Sequence, residues 1–129
     1  MGTRCRFVQP EITRLPLSGG DWIDVKKQLN AGEQRRVFGR LVKAMHFNEK
    51  TEINPEQLGR SKLAEYIIGW SFVDANGSPV PFSEAAIDNL ETDTYRELVT
   101  AVDEHEARID EERAAEKNAR GDAIKSSAN

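Results

Sequence analysis

The chain has 129 residues, 38% of them apolar and 31% charged, with a formal net charge of −4; this fits one domain with a modest core. Apolar runs no longer than Tyr66-Ile67-Ile68 exclude a membrane-spanning helix, which needs about 20 such residues. A lone cysteine, Cys5, excludes an internal disulfide and points to a reducing, cytoplasmic compartment, and no apolar stretch of a secretory signal follows Arg4 and Arg6.

The first element is an alternating segment from Arg4 to Leu17, interrupted by Pro10 and Pro16. Two prolines in an alternating pattern predict an edge strand rather than a central one. Ser18-Gly19-Gly20-Asp21 is a turn by composition. Trp22 to Lys27 reads as a second strand, with Trp22, Asp24 and Lys26 on one face and Ile23 and Val25 on the other. The pair predicts a hairpin that needs a helix beneath it.

Asn30-Ala31-Gly32-Glu33 has the form of a capping box. The helix it opens places Val37, Phe38, Leu41, Val42 and Met45 on one apolar stripe, with Arg35, Arg36, Arg40 and Lys43 on a solvated basic face. His46 stands at the end of this helix, where an imidazolium suits the dipole. Asn54 and Pro55 provide the N-cap and first residue of the next helix. Its apolar side comprises Leu58, Ser61, Leu63, Ala64, Ile67 and Ile68, and it weakens at Gly69. Trp70 to Val73 either continue that helix or turn extended. Asp74-Ala75-Asn76-Gly77 forms a turn, and the prolines at 79 and 81 force residues 78–82 to be extended.

Ser83 caps a short helix over 84–90 with Ala86, Ile87 and Leu90 inward. The last helix starts at Thr92 or Asp93 and carries Tyr95, Leu98, Val99, Val102 and Ile109 on its stripe. Past Ile109 the apolar positions fade, which predicts fraying. The whole reads as a mainly α, small single domain of about four helices. One globular unit covers 1–112, with an extended hairpin segment at 1–29 and helices over 30–112. The acidic C-terminal end frays, and a charged, disordered tail follows at 113–129.

Chemistry is hard to place on this pattern. The carboxylates lie in surface-like runs such as Asp103-Glu104-His105-Glu106, where an isolated acid–base pair is not expected and His105 reads as solvated. No HExxH and no Cys/His cluster is present, so no metal is expected. In Asp74-Ala75-Asn76-Gly77-Ser78 glycine falls fourth rather than sixth, and Ala85 stands where calcium would need a glutamate; this is a turn. Gly19-Gly20 is no phosphate loop, and Cys5 has no base partner. No enzyme activity and no cofactor are expected. Trp22, Tyr66, Trp70 and Phe72 read as core, with one or two at a rim.

Charge is unevenly placed. Residues 1–64 carry a balance of +5 and residues 65–129 one of −9. The acidic half argues against a dedicated nucleic-acid binder. The asymmetry serves solubility, or lets copies associate basic half to acidic half.

Four stretches follow one another: Leu17-Ser18-Gly19-Gly20-Asp21-Trp22-Ile23-Asp24-Val25-Lys26-Lys27-Gln28-Leu29 with Gly32-Glu33-Gln34-Arg35, then Ile67-Ile68-Gly69-Trp70-Ser71-Phe72-Val73-Asp74-Ala75-Asn76-Gly77-Ser78-Pro79-Val80-Pro81, then Ser83 with the helix holding Ile87 and Leu90, and the acidic ending around Val102-Asp103-Glu104-His105. In that order they resemble the tail assembly chaperones of long-tailed, siphovirus-like bacteriophages. The resemblance covers about residues 12–115 as spaced words. It implies a helper in the host cell cytoplasm that binds the tape measure protein, keeps it soluble and recruits tail tube subunits, without a place in the finished virion. The family is commonly all-helical, so the N-terminal strands depart from it. Other readings are a structural virion component, such as a tail terminator or head–tail connector, and a small nucleic-acid-binding regulator using Arg35, Arg36, Arg40 and Lys43. Neither motif nor resemblance assigns partner-contacting residues.

Overall fold

A computed structural model describes residues 5–48 and 54–127. In chain order these form β1 (Ile12–Pro16), a 3-10 turn (Ser18–Gly20), β2 (Trp22–Lys26), α1 (Ala31–Asn48), α2 (Pro55–Tyr66), β3 (Ile67–Trp70), α3 (Glu84–Asp88) and α4 (Thr92–Ser127). The strands make one antiparallel sheet in the order β1-β2-β3.

The hairpin follows from its turn. Gly19 and Gly20 both adopt positive φ, 68° and 80°, which side-chain-bearing residues resist. The ladder is closed by Leu17 N–H donating to Asp21 O at 2.8 Å and by Lys27 N–H donating to Glu11 O at 2.9 Å. In an antiparallel pair alternate residues face the partner, so odd-numbered residues of β1 bond to β2 and even-numbered ones face the open edge. Pro10 and Pro16 belong to the second set and cost the ladder nothing, which is why prolines mark an edge strand here.

β2 alternates as its sequence predicts: Ile23 and Val25 are fully buried, while Trp22, Asp24 and Lys26 are partly exposed. The edge of β2 away from β1 needs a partner. The expected continuation of α2 through Ile67 and Ile68 gives way to that need. α2 stops at Tyr66, and Ile67–Trp70 joins β2 with a register shift between Asp24 and Val25. β-branched and aromatic side chains suit a half-buried strand, and pairing the edge outweighs one more helical turn. The segment 30–112 is therefore not wholly helical.

Local capping holds as the sequence predicts. Glu33 N–H donates to Asn30 Oδ1 at 2.8 Å, and Asn30 N–H donates to Glu33 Oε1 at 2.9 Å. Asn54 Oδ1 accepts from Glu56 N–H, and Ser83 Oγ from Ala86 N–H. Asp74 Oδ1 takes the N–H groups of Asn76 and Ser78. That carboxylate closes a turn.

The core gathers one face of the sheet, α2, α3 and α4: Leu15, Ile23, Val25, Leu63, Tyr66, Ile67, Trp70, Ile87, Leu98 and Val102. Each such side chain contributes about 1.5–3 kcal/mol on burial. Trp70 lies against Phe72 and Phe82, both at 5.0 Å between ring centroids, and its Nε1–H donates to Val80 O. Trp22 stays at the rim beneath the Arg14 guanidinium, 3.6 Å from the ring centroid. α4 presents Leu98, Val102, His105 and Ile109 inward, offsets of 0, 4, 7 and 11 that keep one stripe. The burial of His105 corrects its expected solvation: helical phase places it inward whatever the polarity of its sequence neighbours.

One further expectation changes. The α1 stripe splits, with Val37 and Leu41 each 3% exposed but Phe38 and Val42 55% and 64% exposed; the side chains of Met45 and His46 lie outside the described residues. α4 is helical as far as Ser127, and its side chains at 110–119 are all exposed, as the loss of apolar positions past Ile109 implies. Helical backbone closes its own hydrogen bonds and does not require a buried face to do so.

α2 crosses α4 closely at Gly59, where an added Cβ would meet both Val99 methyls at 3.3 Å; Gly39 in α1 faces open space. Alanine favours a helix interior over glycine by roughly 0.5–1 kcal/mol. Gly39→Ala should therefore raise the melting temperature. Gly59→Ala should give no gain, because the β-branched Val99 has little rotameric freedom in a helix. Equal gains at the two positions in thermal melts would contradict this packing.

Candidate functional site

A groove of about 350 Å³ runs between the start of α1, α2 and the far part of α4. Its apolar lining is Leu29, Val37, Phe38, Leu58, Tyr66 and Ile109, and its rim carries Gln28, Gln34, Lys62, Glu106, Asp110 and Arg113. Phase explains the assembly. Val37 and Phe38 straddle the edge of α1, Leu58, Lys62 and Tyr66 follow at intervals of four along α2, and Glu106, Ile109, Asp110 and Arg113 share one side of α4.

The rim is ordered by ion pairs that cross between helices. Lys62 Nζ donates to Glu106 Oε1 at 2.8 Å and to Asp103 Oδ1 at 3.3 Å. Burial acts against its charge, yet those carboxylates raise it above an ordinary lysine. Tyr66 donates its hydroxyl to Glu106 Oε2 at 3.1 Å; burial first, then the Glu106 charge, pushes that hydroxyl well above its usual range. Both groups are held in their protonated forms, and the cluster ties α2 to α4.

α1 is oriented by Glu65, a carboxylate only 5% exposed. Oε1 accepts from Arg36 Nε at 3.0 Å and Oε2 from Arg40 Nη1 at 2.9 Å. Lys26 Nζ stands 3.7 Å from Oε1 and also pairs with Glu33. Ser61 Oγ–H donates to Val37 O beside it. Arg36 and Arg40 keep to the surface, 59% and 30% exposed, and from there reach this buried carboxylate. Glu65 ends α2, where a carboxylate faces the negative end of the helix dipole, and three cations offset that repulsion. Arg40 continues to Glu84, and Arg60 joins Glu84 to Asp88.

His105 ties α4 to the end of β2. Nε2 lies 2.9 Å from Lys27 O and 3.3 Å from Lys26 O; both are acceptors, so Nε2 carries a hydrogen. Nδ1 is buried and has no partner among the described residues, and the Tyr66 ring meets the imidazole edge-on at 6.2 Å. These contacts make His105 a tie between α4 and the end of β2.

Among the described residues, no three His, Cys, Asp or Glu side chains are grouped so as to hold a metal ion, and no helix is long and apolar enough to cross a membrane. Cys5 is exposed. The groove, the buried Glu65 and the buried His105 were not read from the sequence. The one available signal was the i, i+4 pair Arg36 and Arg40 beside apolar Val37 and Leu41, which suits an acceptor buried across the helix. Comparison with family models, curated proteins and solved structures gives no match to this chain.

Burial acts to raise the carboxyl of Glu65, and its hydrogen bonds to Arg36 and Arg40 more than offset this, holding it below the ordinary value of 4.5. A carboxyl lowered in the folded state stabilises the fold above its unfolded pKa, and that stability is lost as pH falls through the folded value. Stability should thus decline as pH drops below about 4.5. Glu65→Gln should cost roughly 1–3 kcal/mol at neutral pH and flatten part of the acid decline. Denaturant titrations at neutral and acid pH measure both; a variant with the wild-type acid slope would contradict the assignment.

Proposed function

We propose that this chain is a non-catalytic chaperone of phage tail assembly. Its groove between α1, α2 and α4 receives an amphipathic helical segment of the tape measure protein, and tail tube subunits later displace it. The observation that carries this reading is the groove itself: an apolar floor of Leu29, Val37, Leu58 and Ile109 within a rim of both charge signs. Such a groove suits the apolar face of a helix with its polar flanks on the rim. The resemblance of residues 17–35 and 67–81 to tail assembly chaperones gives the occupant its identity.

The groove is small, about 350 Å³, which suits a small and therefore transient contact. The rim charges of Lys62, Glu106, Asp110 and Arg113 then affect association rate and partner choice more than affinity. A nucleic-acid role for the basic helix is weakened by the commitment of Arg36 and Arg40 to Glu65.

Co-expression with the tape measure protein tests the proposal. The wild-type chain should increase the soluble fraction of that protein over an empty vector. Leu58→Gln, which keeps side-chain size but places an amide on the groove floor, should lose most of the gain while retaining a cooperative melt. No gain from the wild-type chain sinks the chaperone reading; full gain from Leu58→Gln sinks the groove.

A further inference from the structure

The exposed face of α1 is a second surface, which meets the edge of the groove at Phe38. Arg35, Phe38, Val42 and Lys43 recur along it at helical spacing, with Gly39 at its centre. Phe38 and Val42 are more than half exposed, and nothing lies within 4 Å of where a Gly39 Cβ would stand. A hollow lined by Gly32, Arg35, Arg36, Gly39, Arg40 and Lys43 lies beside Phe38 and Val42 and shares Arg35, Gly39 and Lys43 with this face; no residue of α4 contributes to it. Among the described residues Arg35 and Lys43 enter no ion pair. Two apolar side chains with two uncommitted cations and a gap between them suit a slender, acidic helix.

The same chain carries such a helix. Beyond Ile109, α4 continues to Ser127, and residues 110–119 are all exposed, with Arg113 and Glu116 also bordering a hollow beside the N-terminal segment Cys5–Gln9. That stretch holds Asp110, Glu111, Glu112 and Glu116 against Arg113 and Lys117. Glu112, Ala115, Glu116 and Ala119 share one side, so acids flank small residues where Phe38 and Val42 could seat. Arg35 and Lys43 stand about 12 Å apart along α1 and Glu112 and Glu116 about 6 Å apart along α4; long basic stems span the difference. A continuous helix cannot turn back onto the α1 of its own chain.

We propose that the acidic extension of α4 docks on the exposed α1 face of a second copy of this chain. Phe38 and Val42 pack on Ala115 and Ala119, while Arg35 and Lys43 meet Glu112 and Glu116. Donor and acceptor surfaces differ, so the contact is either exchanged reciprocally in a dimer or propagated head to tail. Self-association of this kind does not depend on the tape measure reading, and its test uses no other protein.

Sedimentation velocity of the full chain, over a range of concentrations at low salt, should show reversible association that weakens as salt is added. Glu112→Lys with Glu116→Lys, and separately Arg35→Glu with Lys43→Glu, should each reduce the association constant by about tenfold or more. All four positions are exposed, so both variants should keep the wild-type melt. Mixed together, the two variants should associate again, because the reversed helix of one matches the reversed face of the other. A wild-type chain that stays monomeric throughout overturns the proposal. So does unchanged association in either variant, or a mixture that remains monomeric.

Discussion

The carboxylate of Glu65 decides which way α1 faces. Arg36 and Arg40 stand one helical turn apart, and both reach the same buried acceptor, one to each oxygen. Those two contacts, with Ser61 holding Val37 O, fix the rotation of α1 about its axis. Val37 and Leu41 go inward; Phe38 and Val42, one position further on, are carried outward by the 100° step of the helix. Groove and exposed face are both consequences of that choice. The buried charge is tolerated because its partners lie at the surface, where their remaining hydrogen-bonding capacity is met by water.

A second constraint comes from α4. Its inward stripe packs on α2 and the sheet, while His105 binds the last carbonyls of β2 and Ser18 donates to Glu97 from the hairpin turn. The small sheet would be marginal alone, and α4 is what covers it. α4 also supplies the groove with Ile109 and its acidic rim, then runs on beyond the body. One helix thus stabilises the hairpin, completes the groove and extends a charged surface outward. These roles are separable along its length, with buried residues up to Ile109 and exposed ones after it.

Much of the fold was legible because its signals are local. The capping box at Asn30 and Glu33, the Asn54-Pro55 helix start, the Ser83 cap and the Gly19-Gly20 turn depend on neighbours within four residues. The misreadings share a cause. Ile67 and Ile68 fit a helical stripe equally well, and only the unpaired edge of β2, forty residues earlier, makes them a strand. Phe38 and Val42 belong to an apolar run, and only Glu65 across the helix interface turns them out. His105 sits in an acidic stretch, and only the carbonyls at the end of β2 draw it in. The groove needs all three helices at once, so no single segment announces it.

The central claim, that Glu65 fixes the rotation of α1, is tested most directly by thiol labelling in a Cys5→Ser background. Rates of modification are compared for Val37→Cys and Phe38→Cys, with Glu65 intact and with Glu65→Gln. With Glu65 intact the thiol at 38 should react near the rate of a free cysteine, and the thiol at 37 slower by on the order of 100-fold, since it reacts only through local opening. Glu65→Gln should narrow that gap. Equal rates at the two positions with Glu65 intact, or a gap unchanged by Glu65→Gln, would contradict the claim.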